Sequence, residues 1–200
     1  MTLSTPNKAS KKGEPMTPSN PINNPSKQDH NNSSPSKSGM GHAECVKYAT
    51  KYLSKRCNVV LPEFFTHNAE LPDVIGFKNE ISTVIECKVS RGDFFSDKKK
   101  YFRLNPEKGM GDYRFYCCPK GMVSKDELPT GWGLLYVYPS GRVMEVKSSH
   151  VSPADPTDWQ KRGRFDKNKD AELHLLYYYA RRANYAGVHK AIIEYRGYDV

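Results

Sequence analysis

The chain has 200 residues, 26% of them charged, and a formal net charge of +9, which fits one domain with a core plus tails. No apolar run is long enough to span a membrane and no stretch resembles a signal peptide, so a reducing cytoplasm is the expected setting. The excess of Lys and Arg favours a polyanionic partner, but the charge is spread along the chain and does not locate a site.

Residues 1–39 are dense in Pro, Ser, Asn and Lys and nearly free of large apolar side chains. They cannot bury enough surface to offset ordering entropy, so a basic, disordered tail is expected. A first helix is predicted over His42–Arg56, where Cys45, Val46, Ala49, Tyr52 and Leu53 recur at helical spacing on one face. Asn58–Phe65 reads as a strand. Leu71–Arg103 is the informative stretch: a short strand at Val74–Phe77, a turn at Lys78–Glu80, a longer strand over Ile81–Val89, then a basic helix. If the chain reverses at Lys78–Glu80, Asp73 falls opposite Ile85–Glu86. Alternation puts Ser82, Val84, Glu86 and Lys88 on one face and Ile81, Thr83, Ile85 and Val89 on the other. Two carboxylates and a lysine therefore converge at one end of a hairpin, an arrangement suited to a divalent cation.

Pro72-Asp73 followed by Glu86-Cys87-Lys88 resembles the PD-(D/E)xK nuclease superfamily. The run Ser90–Lys99, with Asp93-Phe94, Asp97 and Lys98, is most similar to its MmcB-like DNA-repair branch. The resemblance covers Gly41–Lys147. It implies a restriction-endonuclease-like α/β fold, a mixed sheet of four to six strands flanked by helices in the order α-β-β-β-α-β-β-α. It also implies a DNA-directed phosphodiester hydrolase in repair, recombination or defence, with homodimers common among duplex-cutting members. The chemistry agrees: Mg²⁺ or Mn²⁺ takes oxygen ligands, which Asp73, Glu86 and the Cys87 backbone carbonyl can supply, and Lys88 can stabilise charge developing on phosphate. For a third carboxylate the resemblance offers Glu44 on the first helix or Glu63 after the first strand. A helical wheel puts Glu44 about 130° from the apolar face, at the flank. A DNA-binding module that has lost catalysis, and an RNA-processing nuclease, are the alternatives.

The basic helix is expected over Asp93–Leu104, with Ser90 or Gly92 near its N-cap and Asp93 and Asp97 complementing the N-terminal dipole. Its N–H groups could face a phosphate. Lys98, Lys99 and Arg91 are the candidate nucleic-acid contacts. Lys100 and Arg103 read as a solvated face. Strands follow at Asp112–Pro119, Gly131–Tyr138 and Arg142–Val146, with Trp132 more economically a core residue than a base-stacking one. Residues 151–200 read as a loop and a C-terminal helix, Asp166–Gly187, with Leu173, Leu176, Tyr177, Ala180 and Ala183 near one face. Ile192–Tyr195 reads as a short strand or a frayed helix end. The five cysteines contain no C-x-x-C pair, and Cys87 and Cys117 read as small hydrophobes, so a structural zinc site is not expected. The six histidines lack ligand spacing.

Overall fold

A computed structural model describes residues 39–66, 70–151 and 163–188. The expectations for the N-terminal tail up to residue 38 and for 192–195 lie outside the described residues. Six strands form one open sheet in sequential order, β1 (Val59–Pro62), β2 (Val74–Lys78), β3 (Ile81–Cys87), β4 (Tyr113–Pro119), β5 (Gly133–Val137) and β6 (Val143–Lys147). Pairing is antiparallel for β1–β2, β2–β3 and β5–β6 and parallel for β3–β4 and β4–β5. The fold is thus a mixed α/β sheet with flanking helices. No helix among the described residues is long and apolar enough to cross a membrane.

The β2–β3 hairpin closes tightly: Lys78 pairs with Ile81 and Asn79 takes φ +55°, a conformation that asparagine tolerates better than most residues. Val74 pairs with Ile85, which sets Asp73 opposite Glu86 at the open end of the hairpin, as alternation requires.

Helix α1 (His42–Ser54) buries Cys45, Val46, Ala49, Tyr52 and Leu53, the face its periodicity assigns. These side chains pack on Val74, Ile85, Cys87, Phe115, Cys117, Leu135 and Val137, one face of the sheet. The opposite face carries two clusters. Phe94, Tyr116, Cys118, Trp132 and Leu134 meet beneath the segment after β3, while Leu61, Ile75, Val84, Met110 and Leu175 meet beneath the last helix. Trp132, 2% exposed, stacks on Tyr116 with ring centroids 4.5 Å apart, so it serves the core.

Two elements depart from the sequence expectation. The basic helix is two pieces: α2 (Arg91–Asp97), capped by Ser90 Oγ accepting from the Asp93 N–H, and α3 (Tyr101–Leu104), which starts after an extended Lys100. Residues six apart on a continuous helix lie about 120° from each other round the axis, yet Asp97 and Arg103 must meet, and the break lets them. The last helix, α4 (Lys169–Tyr185), buries Glu172 and Leu175, whereas Leu173 and Tyr177 are exposed. Apolar periodicity mis-set this face because a polar latch fixes it. Glu172 accepts from Ser82 Oγ at 2.6 Å and from the Gly111 N–H at 2.8 Å, and Lys167 bridges Glu172 (2.8 Å) to Asp112 and to Ser82 Oγ (2.8 Å). Gly111 makes that latch possible: its φ is +91°, and a Cβ there would stand 2.9 Å from a Val84 methyl carbon and 3.0 Å from the Tyr113 carbonyl. Gly111→Ala is therefore expected to cost about 1–3 kcal/mol, measured as a lower urea midpoint with an unchanged m-value.

Candidate active site

The C-terminal end of β3 carries the site. Glu86 and Lys88 project from the face of the sheet opposite α1, where α2 and α3 pack. Asp73, just before β2, comes across the open end of the hairpin and accepts a hydrogen bond from the Cys87 N–H through Oδ2 at 2.7 Å. The N–H and C=O of one strand residue point the same way, so the Cys87 carbonyl is turned to the Asp73 side as well. Lys88, 4% exposed, continues the strand by donating its N–H to the Cys117 carbonyl at 2.9 Å. Its ammonium lies 3.2 Å from Glu86 Oε2, 3.4 Å from Asp97 Oδ1 and 3.9 Å from Asp73 Oδ2. The three residues singled out by the hairpin pattern do converge, and a third carboxylate joins them.

That carboxylate is Asp97, placed by the sequence reading at the dipole end of a helix and found instead as the fully buried last residue of α2. Tyr116 Oη donates to its Oδ2 at 2.8 Å, Lys100 Nζ approaches Oδ1 at 2.7 Å, and Arg103 Nε donates to Oδ2 at 2.8 Å. Arg103 was expected on a solvated face and is buried, its side chain 3% exposed. Besides Asp97 it pairs with Glu86 Oε1 at 3.0 Å and with Glu70 Oε1 at 2.9 Å, while its guanidinium carbon lies 4.8 Å from the Trp132 ring centre. Glu70 in turn accepts from the Met110 N–H. One guanidinium thus spends its three nitrogens on three acids from three segments, the fixed fork geometry that distinguishes Arg from Lys.

Electrostatics follow from this packing. Burial pushes the Glu86 carboxyl above its ordinary range, and Arg103 and Lys88 pull it back only in part. Burial raises Asp73 as well, against Lys88 and the Cys87 N–H. For Lys88, desolvation works towards the neutral amine, but Glu86, Asp97 and Asp73 outweigh it, so the pKa rises and the group stays an ammonium. Asp97 is the reverse case: burial alone would raise it, yet Arg103, Lys100, Lys88 and Tyr116 together hold it well below the usual carboxylate range.

Of the two candidates for a further acid, Glu44 is exposed and accepts from Tyr48 Oη at 3.2 Å on its own helix. Glu63 stands at the site. Its N–H donates to the Asp73 carbonyl at 2.8 Å, its φ is +41°, and its Oε1 lies 3.6 Å from His42 Nε2. His42, the first residue of α1, is also 3.5 Å from Asp73 Oδ1. Sequence spacing could not reveal this histidine, because its partners lie 21 and 31 positions further on. The site therefore has a closed inner part (Glu86, Lys88, Asp97, Arg103) and an open rim (Asp73, His42, Glu63), the Asp73 side chain being 18% exposed and that of His42 42%.

The basic residues divide. Lys99 is exposed. Arg91 pairs with Glu127 and donates to the Met122 carbonyl at 2.8 Å, and Lys98 donates to the Glu127 carbonyl at 2.7 Å. Both are thus tied to the short 3₁₀ turn Lys125–Glu127. Of the N-terminal N–H groups of α2, that of Asp93 is met by Ser90 Oγ.

The donors around Lys88 are hard oxygens, the kind that Mg²⁺ and Mn²⁺ take. Asp73, Glu86 and the Cys87 carbonyl are donors of that type; Asp73 opens to solvent, while the two Glu86 oxygens face Lys88 and Arg103.

No family model matches the chain, and no curated protein matches it. Among solved structures, a protein of unknown function from Silicibacter pomeroyi is similar, with 22% identity and a TM-score of 0.49 over 80% of this chain and 97% of that one.

The buried network carries a pH signature. A carboxylate with a lowered pKa contributes stability above the ordinary Asp value of about 4 and loses it as pH falls through the folded value. Asp97→Asn should therefore cost about 3 kcal/mol at pH 7, with the gap to wild type closing as pH is taken below about 4, read from urea titrations at each pH.

Proposed function

We propose that the chain is a divalent-cation-dependent deoxyribonuclease built on a restriction-endonuclease-like plan, with Asp73 and Glu86 as the metal-holding carboxylates and Lys88 as the catalytic lysine. The observation that carries this reading is one buried ammonium set among three carboxylates at the end of β3, one of which, Asp73, opens to solvent.

Asp73, Glu86 and the Cys87 carbonyl would hold Mg²⁺ or Mn²⁺, which when bound neutralises phosphate charge and makes a water easier to deprotonate. The remaining work belongs to the chain. Arg103 fixes Glu86 Oε1, so Oε2 is the oxygen left towards Lys88 and the open rim. Lys88, held as an ammonium, donates to a non-bridging phosphate oxygen and stabilises the charge that grows there. His42, between Asp73 and Glu63, can take the proton of a water placed against Asp73. Exposed Lys99 and the basic residues of 1–39 add salt-dependent attraction to the backbone. Arg91 and Lys98 act instead through position, holding the 3₁₀ turn against α2. Five free cysteines suit a reducing, cytoplasmic setting.

A second reading has one observation behind it. Both Glu86 oxygens already face cations of the chain, and the residue is 2% exposed, as would suit a DNA-binding module that does not cut.

The deciding assay is cleavage of labelled single-stranded, duplex, forked and four-way DNA, with a matched RNA, in Mg²⁺, Mn²⁺ or EDTA. Wild type should cut DNA only with metal. Asp73→Asn, an isosteric change at the part-exposed rim, should lower the rate at least about 100-fold while the far-ultraviolet circular dichroism is unchanged, and Lys88→Ala should do the same. DNA binding without cutting on any substrate overturns the nuclease in favour of the binding module, and cutting of RNA alone reassigns the substrate.

A further inference from the structure

A second cluster of ligating side chains lies on the other face of the same strand end. Cys45 from α1, Cys87 from the end of β3 and Cys117 from β4 bring their three Sγ atoms within 4.8 Å of one another. All three residues are 0% exposed. The juxtaposition is built by tertiary structure alone: Cys87 and Cys117 are Cα partners in the parallel β3–β4 ladder, and α1 lays Cys45 over them, its thiol donating to the Cys117 carbonyl at 3.5 Å. The other two cysteines stay apart from this group, Cys57 against Gly76 beyond the end of α1 and Cys118 on the opposite face.

We propose that Cys45, Cys87 and Cys117 form a three-coordinate thiolate site for a soft monovalent d¹⁰ ion, Cu(I). Soft thiolates select Cu(I) or Zn²⁺. Metal–thiolate bonds of about 2.3 Å round one centre place sulfurs about 4 Å apart, so the trio needs to contract by less than about 1 Å. Zn²⁺ in a closed site takes four ligands. Among the described residues no further His, Cys, Asp or Glu ligand atom joins the three, and the core cluster they belong to is mostly apolar, with Val46, Ala49, Ile85, Phe115 and Leu135 among its members, which favours three-coordination. Each thiol that ligates releases its S–H proton to solvent, and no electron is transferred. The site is independent of the nuclease reading, yet it shares Cys87 with it: an ion held there would brace the backbone whose N–H fixes Asp73.

The test titrates the reduced, full-length protein with Cu(I) under anaerobic conditions against a chromogenic Cu(I) chelator, with Zn²⁺ in a parallel arm. The expected result is one Cu(I) per chain with near-ultraviolet thiolate-to-copper absorption. It should be lost in folded Cys45→Ala or Cys117→Ala and kept in Cys57→Ser and Cys118→Ser. Because a core variant can fail to fold, wild type is also denatured briefly with and without Cu(I) in the presence of iodoacetamide. Mass mapping should show protection confined to Cys45, Cys87 and Cys117. No stoichiometric Cu(I), binding unaltered in folded Cys45→Ala, protection at other cysteines, or Zn²⁺ held in preference to Cu(I) would each overturn the assignment.

Discussion

Arg103 is the group on which the candidate site depends. Its guanidinium is buried against Trp132 and pairs with Glu70, Glu86 and Asp97, acids that come from a loop, a strand and a helix end. Unpaired, each of these carboxylates would carry a desolvation cost of several kcal/mol in its buried position. With Arg103 in place they are held together, and Glu86 keeps one oxygen turned to Lys88. The break between α2 and α3 follows from the same constraint, since a continuous helix would carry Arg103 away from Asp97. Lysine could not substitute, because three directions of donation from one planar group are what the three acids require.

The sheet does the rest of the positioning. A tight two-residue turn fixes the β2–β3 register, the register sets Asp73 across from Glu86, and the Cys87 N–H fastens Asp73 to the strand that carries the other two groups. Inner charges are thereby closed off from solvent while Asp73, His42 and Glu63 form the rim. The positive φ of Glu63 is a local strain located at that rim, where functional sites often hold it. On the far side of the strand, the cysteine trio and the packing of α1 rest on the same residue, Cys87, so the two faces of this strand end are mechanically joined.

Local pattern was enough for the parts of this molecule governed by short-range rules. Alternation in Ile81–Lys88 assigned faces correctly, the periodicity of α1 named its five buried residues, and the turn residues placed the hairpin, so the Asp73, Glu86 and Lys88 convergence was legible. What was not legible depends on contacts between distant segments. Asp97 read as an acid complementing a helix dipole and Arg103 as a surface charge, because their partners come from distant segments, Lys88 and Tyr116 for Asp97 and Glu70 and Glu86 for Arg103. His42 gave no spacing signal because its partners follow a strand and a loop. The three cysteines carry no motif, being joined only by sheet register and helix docking. In α4 the apolar rows suggested one face, but burying Glu172 against Ser82, Gly111 and Lys167 chose another.

On the proposed function, the acids around Lys88 form a cation site in which the ammonium and a metal share the same carboxylates. Isothermal titration of Mg²⁺ into wild type and Lys88→Met, each then assayed for DNA cleavage, addresses it directly. Lys88→Met is expected to bind Mg²⁺ more tightly than wild type, because a competing positive charge is gone, and to have lost cutting. Cleavage surviving in Lys88→Met, or no Mg²⁺ bound by either protein, would contradict it.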